Sequence, residues 1–180
     1  MSVFDLMKEY IETGRIKIDK SKHPELTTYH DPCNYARKSE KTFGHGYYEE
    51  PRWITQQCVD NFVDMHPNRA NNYCCGAGGG AWAAPYAEER IYYGRVKAKQ
   101  IKDTGAEMLI APCHNCRDQI MKSLRPEYDM MDLEVKYLWE LVADSLVVEP
   151  WNEEEVEKAH ALRDAQYERD EIDLDAEEDW

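Results

Sequence analysis

The sequence predicts an α/β, Rossmann-like three-layer domain with a short, mostly parallel sheet, followed by an acidic, partly helical tail. Three observations lead there. Short β-prone runs alternate with longer stretches of helical periodicity. Two of those runs end in proline and then cysteine, at Asp31-Pro32-Cys33 and at Ala111-Pro112-Cys113. The charge is also uneven: residues 149–180 hold fourteen acids against Lys158, Arg163 and Arg169, a balance of −11 out of the chain's −14. The expected division is therefore 1–148 for the folded domain and 149–180 for the tail.

Val3, Phe4, Leu6, Met7, Tyr10 and Ile11 recur at helical spacing, and Gly14 stops them. Leu26 to His30 form a strand that Pro32 ends. Residues 34–50 read as a polar loop. Pro51 suits the first turn of a helix running to about Met65, with Trp53, Ile54, Cys58, Phe62 and Met65 on one face. Residues 70–73 suggest a very short strand leading into Cys74-Cys75. A helix from about Pro85 to Thr104 stops at Gly105, and Glu107–Ala111 is a second strong strand. A helix from Asn115 to Leu124, a strand from Leu133 to Lys136 and a helix to Leu146 complete the domain. Residues 152–167 read as a charged helix, and the last dozen residues as disordered.

At 180 residues the chain is long enough to bury a sizeable core, and its twelve tyrosines and five tryptophans support one. No apolar stretch is long enough to span a bilayer, so no direct membrane insertion is expected. The first residues carry no export signature, which places the domain in the cytoplasm or on the cytoplasmic side of a larger assembly. The net charge argues against nucleic acid as a partner.

Six cysteines in a chain read as cytoplasmic point to metal or redox chemistry rather than to disulfides. Cys33 is followed after 40 residues by Cys74-Cys75, and these after 37 more by Cys113-His114-Asn115-Cys116. In a parallel sheet, ligands bind outside the carboxyl ends of the strands, where Cys33, the Cys74-Cys75 pair and Cys113 are all expected. Thiolates are the soft ligands that iron–sulfur clusters take. Neighbouring cysteines can both face one group only in a turn, which Gly76, Gly78, Gly79 and Gly80 supply. Five thiols are one too many for a tetrahedral zinc site.

The combination YHDPC, CCGAGGG and APCHNC resembles the cysteine-rich CCG domain of heterodisulfide reductase subunits and their relatives. The flanking text YHDPCNYAR, EEPRWI, MHPNRANNYCCGAGGG, GRVKAKQI, TGAEMLIAPCHNCRDQI and ELVADSL is similar to the branch formed by the K subunit of the dissimilatory sulfite-reduction membrane complex. The likeness covers residues 2–148. It implies a non-cubane [4Fe-4S] cluster held by Cys33, Cys74, Cys75, Cys113 and Cys116, with Gly76 and Gly78 beside it. It implies reduction of a disulfide, or of the trisulfide of a small sulfur-carrier protein. Relatives also carry ferredoxin-like CxxCxxCxxxCP motifs, which this sequence lacks, so the chain is expected to be either an excised catalytic module or a subunit that receives electrons from separate ferredoxin-domain or membrane subunits.

Two rival functions stand beside this one. A thioredoxin-like dithiol oxidoreductase would use Cys113 and Cys116 directly, and a binding module would hold zinc. Cys58 lies outside the motif and reads as a buried core thiol. His114 is a candidate proton donor, and His30 and Asp31 orient Cys33. Arg37, Lys38 and Lys41 are candidates to guide an acidic protein, and the acidic tail to dock on a basic surface.

Overall fold

The computed structural model describes residues 1–78, 80–150 and 152–169. The chain forms two compact units, Met1–Val147 and Val148–Trp180. The expected disorder of the last dozen residues and the contribution of Gly79 lie outside the described residues, Arg169 apart.

The first unit holds a four-stranded, wholly parallel sheet in the order β2-β1-β3-β4. The strands are β1 (Leu26–Tyr29), β2 (Asn61–Phe62), β3 (Met108–Ala111) and β4 (Glu134–Tyr137). Thr27, Thr28 and Tyr29 pair with Met108, Leu109 and Ile110, and Met108–Ala111 pair with Glu134–Tyr137. Side chains alternate across the sheet. Met108 and Ile110 join Phe4, Tyr29, Ile54, Leu138 and Leu141 on one face. Leu109, Ala111 and Val135 join Ala98, Ile101, Ile120 and Leu124 on the other. The helices behind the first face are α1 (Val3–Glu12), α3 (Glu49–Cys58) and α7 (Leu138–Ser145). Those behind the second are α4 (Ala87–Lys102) and α5 (His114–Asp118), which runs on through a wider turn at Gln119–Leu124 into α6 (Arg125–Glu127). The result is the expected three-layer α/β architecture.

Local chemistry sets the ends. Ser2 and Asp5 cap α1 reciprocally, and Gly14 leaves it at φ +71°. Three expectations are corrected. Residues 34–50 are not all loop: a helical turn at Asn34–Lys38 leads into α2 (Ser39–Phe43), which Gly44 ends in the left-handed region. Buried Ala36 and Ser39 give that segment an inner face. The helix after Pro51 stops at Cys58 rather than Met65. Val59 is extended and Asn61 and Phe62 pair with Leu26 and Thr27, so sheet pairing overrides the helical pattern. Residues 70–73 form no strand: Arg69–Asn71 make a tight helical turn, entered through Arg69 at φ +55°.

In the second unit, α8 (Glu153–Arg169) starts at a reciprocal cap between Asn152 and Glu155. Its first turn is acidic, as the positive end of a helix favours. Among the described residues, no helix is long and apolar enough to cross a membrane.

Candidate metal centre

The strand order changes direction between β1 and β3, and both strands lead into a cysteine at their carboxyl ends. That crevice is where an open parallel sheet binds its ligand. After β1, His30 continues the ladder with its N–H 2.9 Å from the Ile110 carbonyl. Asp31 then anchors the turn. Its two carboxylate oxygens each lie 2.6 Å from the Arg52 guanidinium, and one accepts the Arg69 N–H at 2.8 Å. Arg52 also meets Asp64 through Nε, and both Asp31 and Arg52 are buried. This pair holds Cys33 at the mouth of the crevice.

Cys113 caps α5, and its carbonyl accepts the Arg117 N–H at 2.9 Å. A hydrogen bond from the Cys116 thiol pulls the Cys113 thiol down to about 6, against burial and with help from the N–H groups of Cys116 and Asn115. Cys116, one turn further, is buried and its Sγ lies 3.3 Å from that of Cys75. Neither is in a disulfide; all six cysteines are free thiols.

Cys74 and Cys75 arrive on an irregular loop before α4, not at the end of a strand as expected. Two glycines let that loop reach its place. Gly76 sits at φ +95°, and a Cβ on it would come 2.6 Å from the Arg90 carbonyl oxygen of α4. A Cβ on Gly94 would meet the Cys75 carbonyl oxygen at 3.1 Å. Loop and helix thus touch backbone to backbone. Gly76 also donates its N–H to Cys74 Sγ at 3.3 Å, and a Cβ on Gly78 would lie 3.8 Å from Cys33 Sγ.

All five motif cysteines, with His30, Arg37, Gly78 and Asn115, line one crevice of about 40 Å³. Cys74 is exposed, Cys33 and Cys113 are half-buried, and Cys75 and Cys116 are buried. Hydrogen bonding to Cys33 holds the Cys74 thiol far below the usual range, while the same bond raises Cys33. Cys116 is raised through its bonds to Cys113 and Cys75. Crowded thiols therefore share protons rather than all ionise, and a bound cation would displace those protons. The donor set, five sulfurs on one small crevice, suits an iron–sulfur cluster. His30, Cys75 and Cys116 also place one ligand atom each within 4.8 Å of one another.

Cys58 and His114 stand apart from the crevice, and Arg37 lines it in a different role. Cys58 is fully buried in the other face of the sheet, where desolvation raises its thiol to about 11. His114 is exposed, with Nε2 3.6 Å from Asp118, and does not line the crevice. Arg37 is a clamp more than a lure, donating to the carbonyls of Ala70 and Asn72 at 3.2 and 2.8 Å.

Behind the sulfurs lies a polar layer that sequence reasoning missed. Asn72 donates to the Asp31 carbonyl at 2.6 Å and sits 3.5 Å from His30 Nδ1. Its own Oδ1 accepts from the fully buried Lys97 at 2.5 Å. Lys97 also donates to Gln100. Burial keeps His30 neutral by pushing its imidazole well below 6.5, and His30 Nε2 has no partner among the described residues. Burial also pulls the Lys97 ammonium down to about 7, opposed by the charges of Asp31, Cys75, Cys116 and Cys74. The available signal was periodicity: Gly94, Lys97, Ala98 and Ile101 form one buried stripe of α4, with a lysine on it.

A larger cavity of about 290 Å³, between Ile101, Ala106, Met130 and Leu133, opens toward the amino ends of β3 and β4 and contains no cysteine.

Residues 27–121 match the family model described as "CCG: Cysteine-rich domain". The chain is 32% identical over 168 residues to the Hdr-like menaquinol oxidoreductase iron-sulfur subunit 2 of Archaeoglobus fulgidus, covering 89% of this chain and 29% of that one. It is 30% identical over 148 residues to the D subunit of the dihydromethanophenazine:CoB–CoM heterodisulfide reductase of Methanosarcina acetivorans, covering 80% and 33%. A further similarity, 27% over 109 residues, is to the EtfAB:quinone oxidoreductase of Syntrophomonas wolfei, covering 60% and 14%. The chain thus spans about a third or less of the length of these curated relatives.

Proposed function

This chain belongs to the cysteine-rich CCG domain family, and from that premise we propose that it is the cluster-holding module of an Hdr-like oxidoreductase that reduces a sulfur–sulfur bond. One observation carries the proposal: five thiols from three separate segments meet in one crevice at the switch point of the sheet. Cys33, Cys74, Cys75, Cys113 and Cys116 would hold a non-cubane [4Fe-4S] cluster, as the family likeness implies. Bound there, the cluster supplies electrons singly and an iron that accepts a substrate sulfur.

The chain's own residues do the rest. The Asp31–Arg52 pair fixes Cys33, and α4 fixes Cys75 through Gly76 and Gly94. The exposed Cys74 and the half-buried Cys33 and Cys113 leave one rim open to substrate. Each sulfur–sulfur bond broken takes two electrons and two protons and leaves two S–H groups: two thiols from a disulfide, a thiol and a hydropersulfide from a trisulfide. Protons enter from solvent at that rim. The flanking likeness to the sulfite-reduction K subunit supports a small sulfur-carrier protein as substrate. It also supports ferredoxin-domain or membrane subunits as electron donors at the cytoplasmic face of a membrane.

The close approach of His30, Cys75 and Cys116 favours zinc as the second reading. Anaerobic purification followed by iron, sulfide and zinc analysis decides. About four irons with matching sulfide support the cluster. Stoichiometric zinc supports the binding module, and a metal-free protein that cycles a Cys113–Cys116 disulfide supports the dithiol enzyme.

A further inference from the structure

We propose that Lys97 is the buried counter-charge of the metal-bound thiolates, a positioning residue that sets the reduction potential of the centre. The inference rests on the cluster reading above and deepens it.

Lys97 is 0% exposed, and a buried charge is tolerated only when paired or strongly hydrogen-bonded. Its hydrogen-bond partners are all neutral: Asn72 Oδ1 at 2.5 Å, Gln100 Oε1, and Met65 Sδ at 3.6 Å. No carboxylate lies within ion-pair distance of it among the described residues. Asp31 acts on it from further away, but that carboxylate is already neutralised by Arg52 in a two-pronged contact. Met65, on whose sulfur Lys97 rests, shares one buried cluster with Cys75 and Cys116, and the sulfurs of Cys75, Cys116 and Cys74, anionic once a metal is bound, are the other groups that act on the ammonium.

The backbone explains the aim. Lys97 stands one turn after Gly94, the residue whose missing Cβ lets Cys75 press against α4. That contact brings the Cys75 backbone to the stretch of α4 that carries the lysine. Asn72 and Gln100 hold the ammonium by accepting from it. The amide of Gln100 in turn donates to the Pro67 carbonyl, and that of Asn72 to the Asp31 carbonyl, which fixes both oxygens toward Lys97. A positive charge at this depth favours whichever state of the centre carries more negative charge, and that is the reduced one.

The test is a redox titration of the anaerobically loaded protein, followed by electron paramagnetic resonance, on wild type, Lys97→Met and Gln100→Glu. Removing the charge is expected to shift the reduced-to-oxidised ratio at fixed potential at least tenfold toward oxidised, about 59 mV lower for a one-electron couple. Gln100→Glu keeps the lysine but pairs it with a carboxylate, and is expected to move the potential the same way. Metal-free Lys97→Met is melted beside metal-free wild type, because any loss there reports the Asn72 and Gln100 oxygens left without their donor and not the charge. A potential unmoved in both iron-loaded variants overturns the counter-charge, as does a metal-free Lys97→Met that melts lower with its loaded potential unchanged. A wild type that binds no iron overturns the cluster reading itself, and the counter-charge with it.

Discussion

Replacing Arg52 with methionine isolates what holds the mouth of the crevice. The methionine fills most of the volume but removes both 2.6 Å contacts to Asp31 and the 2.9 Å contact to Asp64. Both Arg52 and Asp31 are only 3% exposed. Deleting one partner leaves Asp31 as an unpaired buried carboxylate, with the Arg69 N–H its remaining donor. Breaking a buried pair this way costs about 3–5 kcal/mol. In a chain of this size that lowers Tm by about 6–20 °C, at roughly 2–4 °C per kcal/mol. The assay is calorimetry on the metal-free protein, with Asp31→Asn and the double variant completing a cycle. The double variant is expected to lose at least about 2 kcal/mol less than the two single losses combined. A loss below about 1 kcal/mol for Arg52→Met, or strict additivity, would refute the idea that this pair sets the Cys33 turn.

Cys75→Ser is expected to abolish the visible absorption and paramagnetic signature of the loaded centre, whereas Cys58→Ser, on the opposite face of the sheet, leaves both intact; spectra of the two variants check it. Gly76→Ala forces a Cβ onto a left-handed residue and to 2.6 Å from the Arg90 carbonyl. It should cost about 2 kcal/mol or more, with at least the ~1–2 kcal/mol of the backbone term, and lower iron content per chain. In the metal-free protein, half-buried Cys113 should alkylate with a midpoint near pH 6, while fully buried Cys58 should resist the reagent until the fold opens, read by mass spectrometry across pH. Because the Cys113 thiol is lowered on folding, its contribution to stability is present above the unfolded thiol value of about 8.5 and is lost as pH falls through 6. One shared alkylation profile for both thiols would contradict the crevice electrostatics.

The elements legible in the sequence are those whose burial follows their own pattern. The strands at Leu26 and Met108 are short apolar or β-branched runs ended by proline, and the fold places them side by side at its centre. The cysteine crevice was legible because thiols are scarce and their spacing is tied to strand ends. The edge strand β2 was not, since Asn61-Phe62 has no alternation of its own and forms only by pairing with β1. The run Trp53, Ile54, Cys58, Phe62 and Met65 keeps helical spacing past the true end of α3, so periodicity alone overran it. Arg52 and Asn72 were illegible for a different reason. Each is an ordinary polar residue whose role depends on partners twenty-one and forty-one residues away, Asp31 for both.

Helix α4 shows where packing and chemistry part. Its buried stripe holds Gly94 and Lys97 among Ala98 and Ile101, two poor choices for a helix that only fills space. Glycine within a helix costs about 1 kcal/mol relative to alanine, and a buried ammonium with neutral partners costs more. Alanine at 94 would be expected to stabilise an isolated helix, yet here its Cβ would come 2.5 Å from Leu124 Cδ2 and crowd the Cys75 carbonyl oxygen at 3.1 Å. Leucine at 97 would extend the core, yet it would leave the crowded sulfurs without an opposing charge. Sequences break local rules at functional sites, and both breaks here fall on the side of α4 that faces the thiols. The helix gives up stability for approach at one position and for charge at the next turn. A scaffold helix would need neither, which makes α4 part of the centre although none of its residues supplies a sulfur.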